Sequence, residues 1–415
     1  KSKKSLWAYP WGYLEGFWIA LGLLLVGFGL QITTSGFSQA LLKWPYNLIF
    51  GLGYLFLLGL TYFILRKHPI MKWLSGVPAS ISAIGMVGIL VLVMGFTAQQ
   101  APGMSDHNHN SLPHLLGFDR MTTSWPFALG LLFFLTTLGY ATFKKSFPFR
   151  KKNIGFFLNH FGLWLTIVAT TLGSGDLQRL TMDLYEGKVE WRARNEKGEL
   201  LELPLALQLN AFDIEEYHPK LAIINRNTGE ILPSGGEQIL QIEPEGTKGK
   251  LIDWEVEVSS FLEESGWVAS NRFETVNEVG AAPSALVKVK NLKTDQELQG
   301  WVSCGSFRYS PTFLDLDDTH SLVMTSPEPK KFSSDVLIYT KNEKKINTII
   351  EVNKPMSLNG WKIYQLSYDD RFGKWSQLSI VELVRDPWLP VVYAGVGLML
   401  AGALYLFWLG REIKA

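Results

Sequence analysis

One histidine stands inside a long apolar run and is the clearest candidate for chemistry in this sequence. His160 lies six residues after Ile154 in the run 154–172, which is about 9 Å along a helix. The run contains no Asp or Glu that could pair with the ring. Desolvation favours the neutral imidazole, whose free nitrogen lone pair can bind a transition metal such as haem iron.

Apolar side chains surround His160 at helical spacing. Phe156 and Phe157 precede it by four and three residues, and Trp164 and Ile167 follow it by four and seven. The spacing predicts one broad, flat, apolar helix face, as a porphyrin requires. His160 and Trp164 are therefore candidate cofactor-binding residues, with His160 as the candidate metal ligand. The alternative is a histidine that only hydrogen-bonds a neighbouring helix, for about 1 kcal/mol.

The other histidines give weaker signals. His107, His109 and His114 follow the third apolar run, beside Asp106. A His-x-His pair near a carboxylate can bind a transition metal, but we interpret this segment as a solvated loop. Since no second histidine lies in an apolar run, a second axial ligand to an iron at His160 would have to come from a partner protein.

Several classes of protein are excluded. The chain has no Gly-rich phosphate loop, no Gly-x-Ser-x-Gly and no His-Glu-x-x-His, so we assign no catalytic residue. The formal net charge of +1 gives no electrostatic case for nucleic-acid binding. The single cysteine, Cys304, excludes a disulfide framework and a covalent haem motif, and we interpret it as an inert core thiol.

The charged residues divide the chain into a membrane part and a soluble part. Residues 1–174 carry 16 of them and residues 175–387 carry 58. Six apolar runs are long enough, or nearly long enough, to cross a bilayer. They are 16–32, 48–65, 81–97, 125–143, 154–172 and 389–409.

Loop charges predict the orientation of these six transmembrane helices. With a cytoplasmic N-terminus, the inner segments hold 13 Lys and Arg, whereas the two short outer loops hold Lys43 and Arg120. The positive-inside rule therefore favours cytoplasmic termini and a periplasmic segment 175–387. We divide the chain into an N-terminal transmembrane hairpin (1–76), three core helices (77–174), the periplasmic domain (175–387), and a C-terminal helix with its tail (388–415).

The segment 175–387 is expected to be β-rich. Apolar and polar residues alternate over 205–209, 254–258 and 285–289, and turn signals such as Asn359-Gly360 separate such runs. Short strands at this spacing are typical of an antiparallel, sandwich-like domain. The fold class is thus a polytopic α-helical membrane protein with a large β-rich extracytoplasmic domain inserted between helices five and six.

Several segments of the sequence match the pattern of a known family. They are 77–81, 95–100, 117–119, 124–127 (with Pro126 a departure), 162–164, 352–355, 359–365, 367–368, 385–388 and 393–395. Through them the sequence resembles the ResB (CcsB-type) proteins of cytochrome c biogenesis. The resemblance spans about residues 77–415, and the N-terminal hairpin is extra to it. The block from 352 onward is the most specific part, and His160 stands where that family places a transmembrane haem ligand.

The resemblance implies a function in "system II" cytochrome c maturation in the bacterial cytoplasmic (inner) membrane. ResB-type proteins act with a CcsA/ResC-type membrane partner, convey haem b to the outer face and present it to apocytochrome c. It implies that His160 and a partner histidine ligate the iron, and that a thiol reductant system keeps the apocytochrome thiols reduced. This chain would be at most an accessory subunit of the holocytochrome c synthase.

Three other interpretations stay open at this point. The chain could be a receptor or transport protein whose β domain binds an external ligand, or a haem-free scaffold that stabilises its partner. A respiratory haem b subunit is the third, and the single membrane histidine argues against it, because such subunits normally need more than one.

Overall fold

The computed structural model describes residues 7–34, 36–37, 39–100, 111–233, 238–243, 246–268 and 272–412. The chain forms two units. The first comprises 1–179, 195–199 and 384–415, and the second comprises 180–194 and 200–383. The first is helical and the second is built from β-strands.

Within the described residues, six helices are long and apolar enough to cross a membrane, as the sequence predicted. Each begins or ends within a few residues of the apolar run that predicted it. Two short helices between them, α3 and α5, had no signal in the sequence analysis. The helices are α1 (Tyr13–Thr34), α2 (Tyr46–Leu65), α3 (Pro69–Leu74), α4 (Val77–Phe96), α5 (Leu112–Leu115), α6 (Trp125–Ser146), α7 (Ile154–Gly173) and α8 (Leu389–Glu412).

Local signals fix where several helices begin. The Ser124 hydroxyl accepts a hydrogen bond from the Phe127 amide and caps α6, and Pro126 stands in the first turn, where its missing N–H costs nothing. His68 caps α3 in the same way, because its ring accepts from the Ile70 amide. The Ser124 cap begins α6 at the edge of its apolar run.

Close contacts at glycine hold the helical unit together. Helix α1 packs against α4 and α6, α2 packs against α6 and α7, and α7 packs along α8. A Cβ on Gly27 would stand 2.7 Å from the Pro126 Cα, so only glycine lets α1 approach α6 this closely. The two long helices of residues 1–76 therefore pack on the core helices.

The β unit contains three sheets. The largest has eight strands in the order β14-β13-β3-β2-β1-β17-β16-β15, so the first and last strands of the unit are neighbours. The second has β10-β9-β7-β6, with β8 paired to β7, and the third has β11-β12-β4-β5. Neighbours such as β3 and β13, or β7 and β9, pair antiparallel, as the alternating pattern predicted.

The strands that form these sheets alternate with turns along the whole unit. They are β1 (Gln178–Tyr185), β2 (Val189–Asn195), β3 (Leu200–Glu216), β4 (Lys220–Asn225), β5 (Ile239–Gln241), β6 (Thr247–Leu251), β7 (Trp254–Val268), β8 (Arg272–Thr275), β9 (Ala282–Asn291), β10 (Glu297–Ser303), β11 (Leu314–Asp315), β12 (His320–Met324), β13 (Pro329–Thr340), β14 (Lys345–Glu351), β15 (Met356–Leu358), β16 (Trp361–Tyr368) and β17 (Leu378–Arg385).

Two hydrophobic cores stabilise the β unit. One lies on the eight-stranded sheet and includes Leu184, Leu207 and Ile338. The other lies between the two smaller sheets and includes Leu221, Val287 and Leu322. Each of these side chains is fully buried, and burying one of them contributes about 1.5–3 kcal/mol.

Candidate metal-ligating site

The imidazole of His160 is held by its own helix through one ring nitrogen. Its Nδ1 lies 3.1 Å from the carbonyl oxygen of Phe156, one turn earlier in α7. A carbonyl only accepts, so this contact assigns the proton to Nδ1 and leaves the lone pair on Nε2. The Phe156 ring stacks on the imidazole, with centroids 3.7 Å apart and planes 19° from parallel.

The Nε2 atom of His160 has no hydrogen-bond partner among the described residues. This combination is typical of ligating histidines, in which a carbonyl or carboxylate orients one nitrogen and the other binds the metal. An imidazole with an unused polar atom is costly inside a bilayer, because hydrocarbon supplies no donor. Nε2 of His160 could therefore ligate a metal beside α7.

His160 lies on the part of α7 that neighbouring helices do not fully cover. Phe156, His160, Leu163 and Ile167 follow one another at helical spacing, and each is only partly buried. This stripe, which we call the His160 face, is partly accessible, and its members Leu163 and Ile167 also pack against the helical core.

Trp164 lies one helical turn from His160 and is buried in the unit. It is only 4% exposed and lies in the helical core, where its ring stacks on Tyr54 and Phe161 at centroid distances of 6.1 and 6.2 Å. Its Nε1 has no partner among the described residues and faces the Gly139 turn of α6. Contact between Trp164 and a cofactor stays a prediction, and this burial opposes it.

The opposite side of α7 is occupied by α8. A Cβ on Gly162 would stand 2.6 Å from the carbonyl oxygen of Gly395, and one on Gly395 would stand 2.4 Å from the Thr166 hydroxyl. The Asn159 amide donates to the Met399 carbonyl across the same interface, at 3.5 Å. This backbone contact fixes α7 against α8 and leaves the His160 face turned away from it.

Among the described residues, His160 is the single ligand that this chain could offer to a metal at this place. Among the described residues there is no group of three or more His, Cys, Asp or Glu that could hold a metal ion. A lone imidazole on an apolar face suits haem, because the porphyrin supplies four nitrogens and the protein needs to add only axial ligands. It does not suit a bare divalent ion, which needs several protein ligands.

The histidine loop after α4 divides into a described and an undescribed part. His107 and His109 lie outside the described residues. His114 is held within its own loop, where Nδ1 lies 2.9 Å from Asp119 Oδ2 and Nε2 lies 2.7 Å from the Arg120 guanidinium. Those contacts make a polar junction beside α6, and nothing in them indicates a metal ligand.

Cys304 lies between the sheets of the β unit and is mostly buried. Desolvation raises the pKa of its thiol to about 11, because the surrounding apolar side chains disfavour the thiolate. A thiol that stays protonated at neutral pH is a poor nucleophile. The geometry supports the interpretation of Cys304 as a core thiol.

A polar junction that the sequence analysis missed joins α2, α7 and α8. The carboxylate of Asp176 accepts from the Trp44 amide at 2.8 Å and from the Trp388 indole at 2.8 Å. It also accepts from Asn47 Nδ2 at 2.7 Å, and Asn47 is fully buried. We call these four residues the Asp176 junction.

Hydrogen bonds decide the charge of Asp176. Desolvation raises the pKa of this carboxyl, but the donors Trp44, Asn47 and Trp388 together lower it below its usual value. The carboxylate is therefore ionised at neutral pH. Two of its donors come from residues 1–76, so the N-terminal segment ties down the C-terminal end of the helix that carries His160.

Comparison with known proteins bears on the β unit. Residues 273–380 match the model of the ResB-like family, and a search of curated proteins found no match. The matched segment contains the 352–355 and 359–365 motifs of the block from 352 onward, whereas His160 lies outside it. The ResB-like family implies cytochrome c biogenesis in general. Through residues 273–380 the chain is similar to the ResB-like family.

Proposed function

We propose that this chain is a haem-handling membrane subunit in cytochrome c maturation. His160 binds the iron of haem b through Nε2, and a membrane histidine of a CcsA/ResC-type partner supplies the opposite axial ligand. The observation that carries this proposal is the orientation of the ring, with Nδ1 held by the Phe156 carbonyl and Nε2 facing no partner among the described residues.

The proposal includes a membrane orientation. Both termini lie in the cytoplasm of a bacterium and residues 175–387 lie in the periplasm, because 13 Lys and Arg then fall on the inner side. His160 then stands about 9 Å along α7 from its cytoplasmic end, in the inner leaflet. Haem enters the His160 face from that side and passes to the partner at the outer face.

In this scheme the chain positions its cargo, and we assign no catalytic residue to it. The β unit holds apocytochrome c so that its two cysteine thiols meet the haem vinyl groups, and such positioning by itself lowers a barrier. The thiols must be reduced for the reaction, which requires an external thiol reductant system. Cys304 takes no part in this step, since burial keeps its thiol protonated.

The test is the haem content of the full chain purified with its co-eluting membrane partner. His160→Ala is expected to lower haem per chain at least fivefold, whereas Asn159→Ala, the neighbouring polar residue that faces α8, should retain it. Unchanged haem and unchanged cytochrome c yield in His160→Ala would refute the proposal. A complex that forms normally and contains no haem in the wild type would favour the scaffold interpretation.

A further inference from the structure

The connection between α6 and α7 carries a cluster of cations. Lys144, Lys145, Arg150, Lys151 and Lys152 lie within nine residues, and each is exposed. The sequence has no Asp or Glu between Asp119 and Asp176. Of these side chains, Lys144 donates to the Ser75 carbonyl at 3.3 Å. For the other four, no ion pair is formed with the part of the chain that the structure describes.

Three of these cations stand directly before the helix that bears His160. Lys151 and Lys152 form a single 3-10 turn with Asn153, and α7 begins at Ile154. Lys152 and Asn153 precede His160 by eight and seven residues, so they stand about two helical turns before it, on its N-terminal side. The separation along the axis is about 12 Å.

The imidazole points toward this cluster. The Nδ1 contact with the Phe156 carbonyl shows that the ring reaches back over the preceding turn, toward the N-terminus of α7. An anion on the edge of a planar ligand at Nε2 can reach toward the N-terminal end of α7, where Lys151 and Lys152 lie.

We propose that Arg150, Lys151 and Lys152 bind the two propionate carboxylates of haem whose iron is held by His160. This inference rests on the proposed function. Haem has an apolar ring with two carboxylates on one edge, and a carboxylate left in hydrocarbon is costly. The ammonium and guanidinium groups just before the N-terminus of α7 can donate charge-assisted hydrogen bonds to the carboxylates where that edge of the haem leaves the apolar face.

Lipid phosphate is the other anion that such a cluster can bind, because basic residues at membrane borders attract anionic headgroups. The position of the cluster directly before the helix that bears His160 favours the propionates. Cations near the other helix ends, such as Arg66 and Lys67 after α2, lack this relation to His160 and provide a matched control.

The experiment compares haem b with its dimethyl ester, in which both propionates are uncharged. Full-length protein with its co-eluting partner is stripped of haem and titrated with each compound, and the Soret absorbance gives the two affinities. Wild type is expected to bind haem about tenfold more tightly than the ester. In Lys151→Gln/Lys152→Gln this preference should fall below about threefold, while Arg66→Gln/Lys67→Gln keeps it.

Two results would overturn the inference. One is a wild type that binds the ester as tightly as haem, and the other is a Lys151/Lys152 variant that keeps the full preference. Phospholipid phosphate measured on the same samples separates the sources, since loss of bound phosphate with an unchanged haem preference assigns the cations to lipid. If His160→Ala binds haem and the ester as tightly as wild type binds them, the proposed function fails, independently of the propionate result.

Discussion

Asp176→Ala is expected to loosen the helical unit at the C-terminal end of α7. The substitution removes the acceptor for three donors, namely the Trp44 amide, Asn47 Nδ2 and the Trp388 indole. Asn47 keeps two partners, the carbonyl oxygens of Leu42 and Leu172. The Trp44 amide and the Trp388 indole lose the acceptor that Asp176 gave them.

The size of the effect follows from these contacts. Hydrogen bonds to a charged group contribute about 1.5–3 kcal/mol each. Because Asp176 is partly exposed, we take its hydrogen bonds at the low end of that range. Asp176→Ala should therefore cost about 2–4 kcal/mol, which corresponds to a fall of roughly 5–12 °C in Tm for a unit of this size. Asp176→Asn should cost about half, because one oxygen can still accept from Asn47 and Trp388.

The assay is tryptophan fluorescence during thermal unfolding in detergent, at one scan rate. Ser174→Ala is the control, because it removes one hydrogen bond on an exposed side chain, to the Thr171 carbonyl, and should change Tm by less than about 2 °C. Since the folded pKa of Asp176 is lowered, its contribution is full above about pH 4 and is lost as the pH falls through the folded value. An Asp176→Ala protein with wild-type Tm would refute this reasoning.

Three further outcomes follow from the packing. Gly162→Ala should destabilise the unit by about 1–3 kcal/mol, because the new Cβ meets the Gly395 carbonyl at 2.6 Å. Gly397→Ala should be neutral, because its new Cβ meets nothing within 4 Å. Equal Tm values for the Gly162→Ala and Gly397→Ala proteins would contradict the close contact at Gly162. Trp164→Phe should leave haem content unchanged and should cost about 1–3 kcal/mol, because the smaller ring leaves space in the core, while the lost indole N–H has no partner in the described structure. A drop in haem would place Trp164 at the cofactor after all. Cys304 should resist thiol reagents at pH 8 until the protein is denatured, given its pKa of about 11, and rapid labelling of folded protein would show an accessible thiolate.

The helices and many of the strands were predictable because their signals are local. Apolar length located the six long helices, and alternation located parts of β3, β7 and β9. The order of the sheets was not predictable in this way. Strands β1 and β17 are neighbours although most of the unit lies between them in sequence, and no local pattern encodes such a pairing.

The site was predictable in part for the same reason. Helical periodicity put His160 and Trp164 one turn apart, but it could not show that α2 and α6 cover Trp164 and leave His160 at the margin. The Asp176 junction was missed because Asp176 follows an apolar run as a loop residue would. Its partners Asn47 and Trp388 lie far away in sequence and become neighbours only when the helices pack.

The central claim is that the His160 imidazole bonds directly to haem iron, and chemical rescue tests it most directly. His160→Gly removes the ring, and the protein with its partner is titrated with free imidazole while the Soret band is recorded. We expect a weak or shifted band without imidazole and a wild-type band with it. A wild-type Soret band in His160→Gly without imidazole would contradict the claim, because the iron would then take its ligands elsewhere.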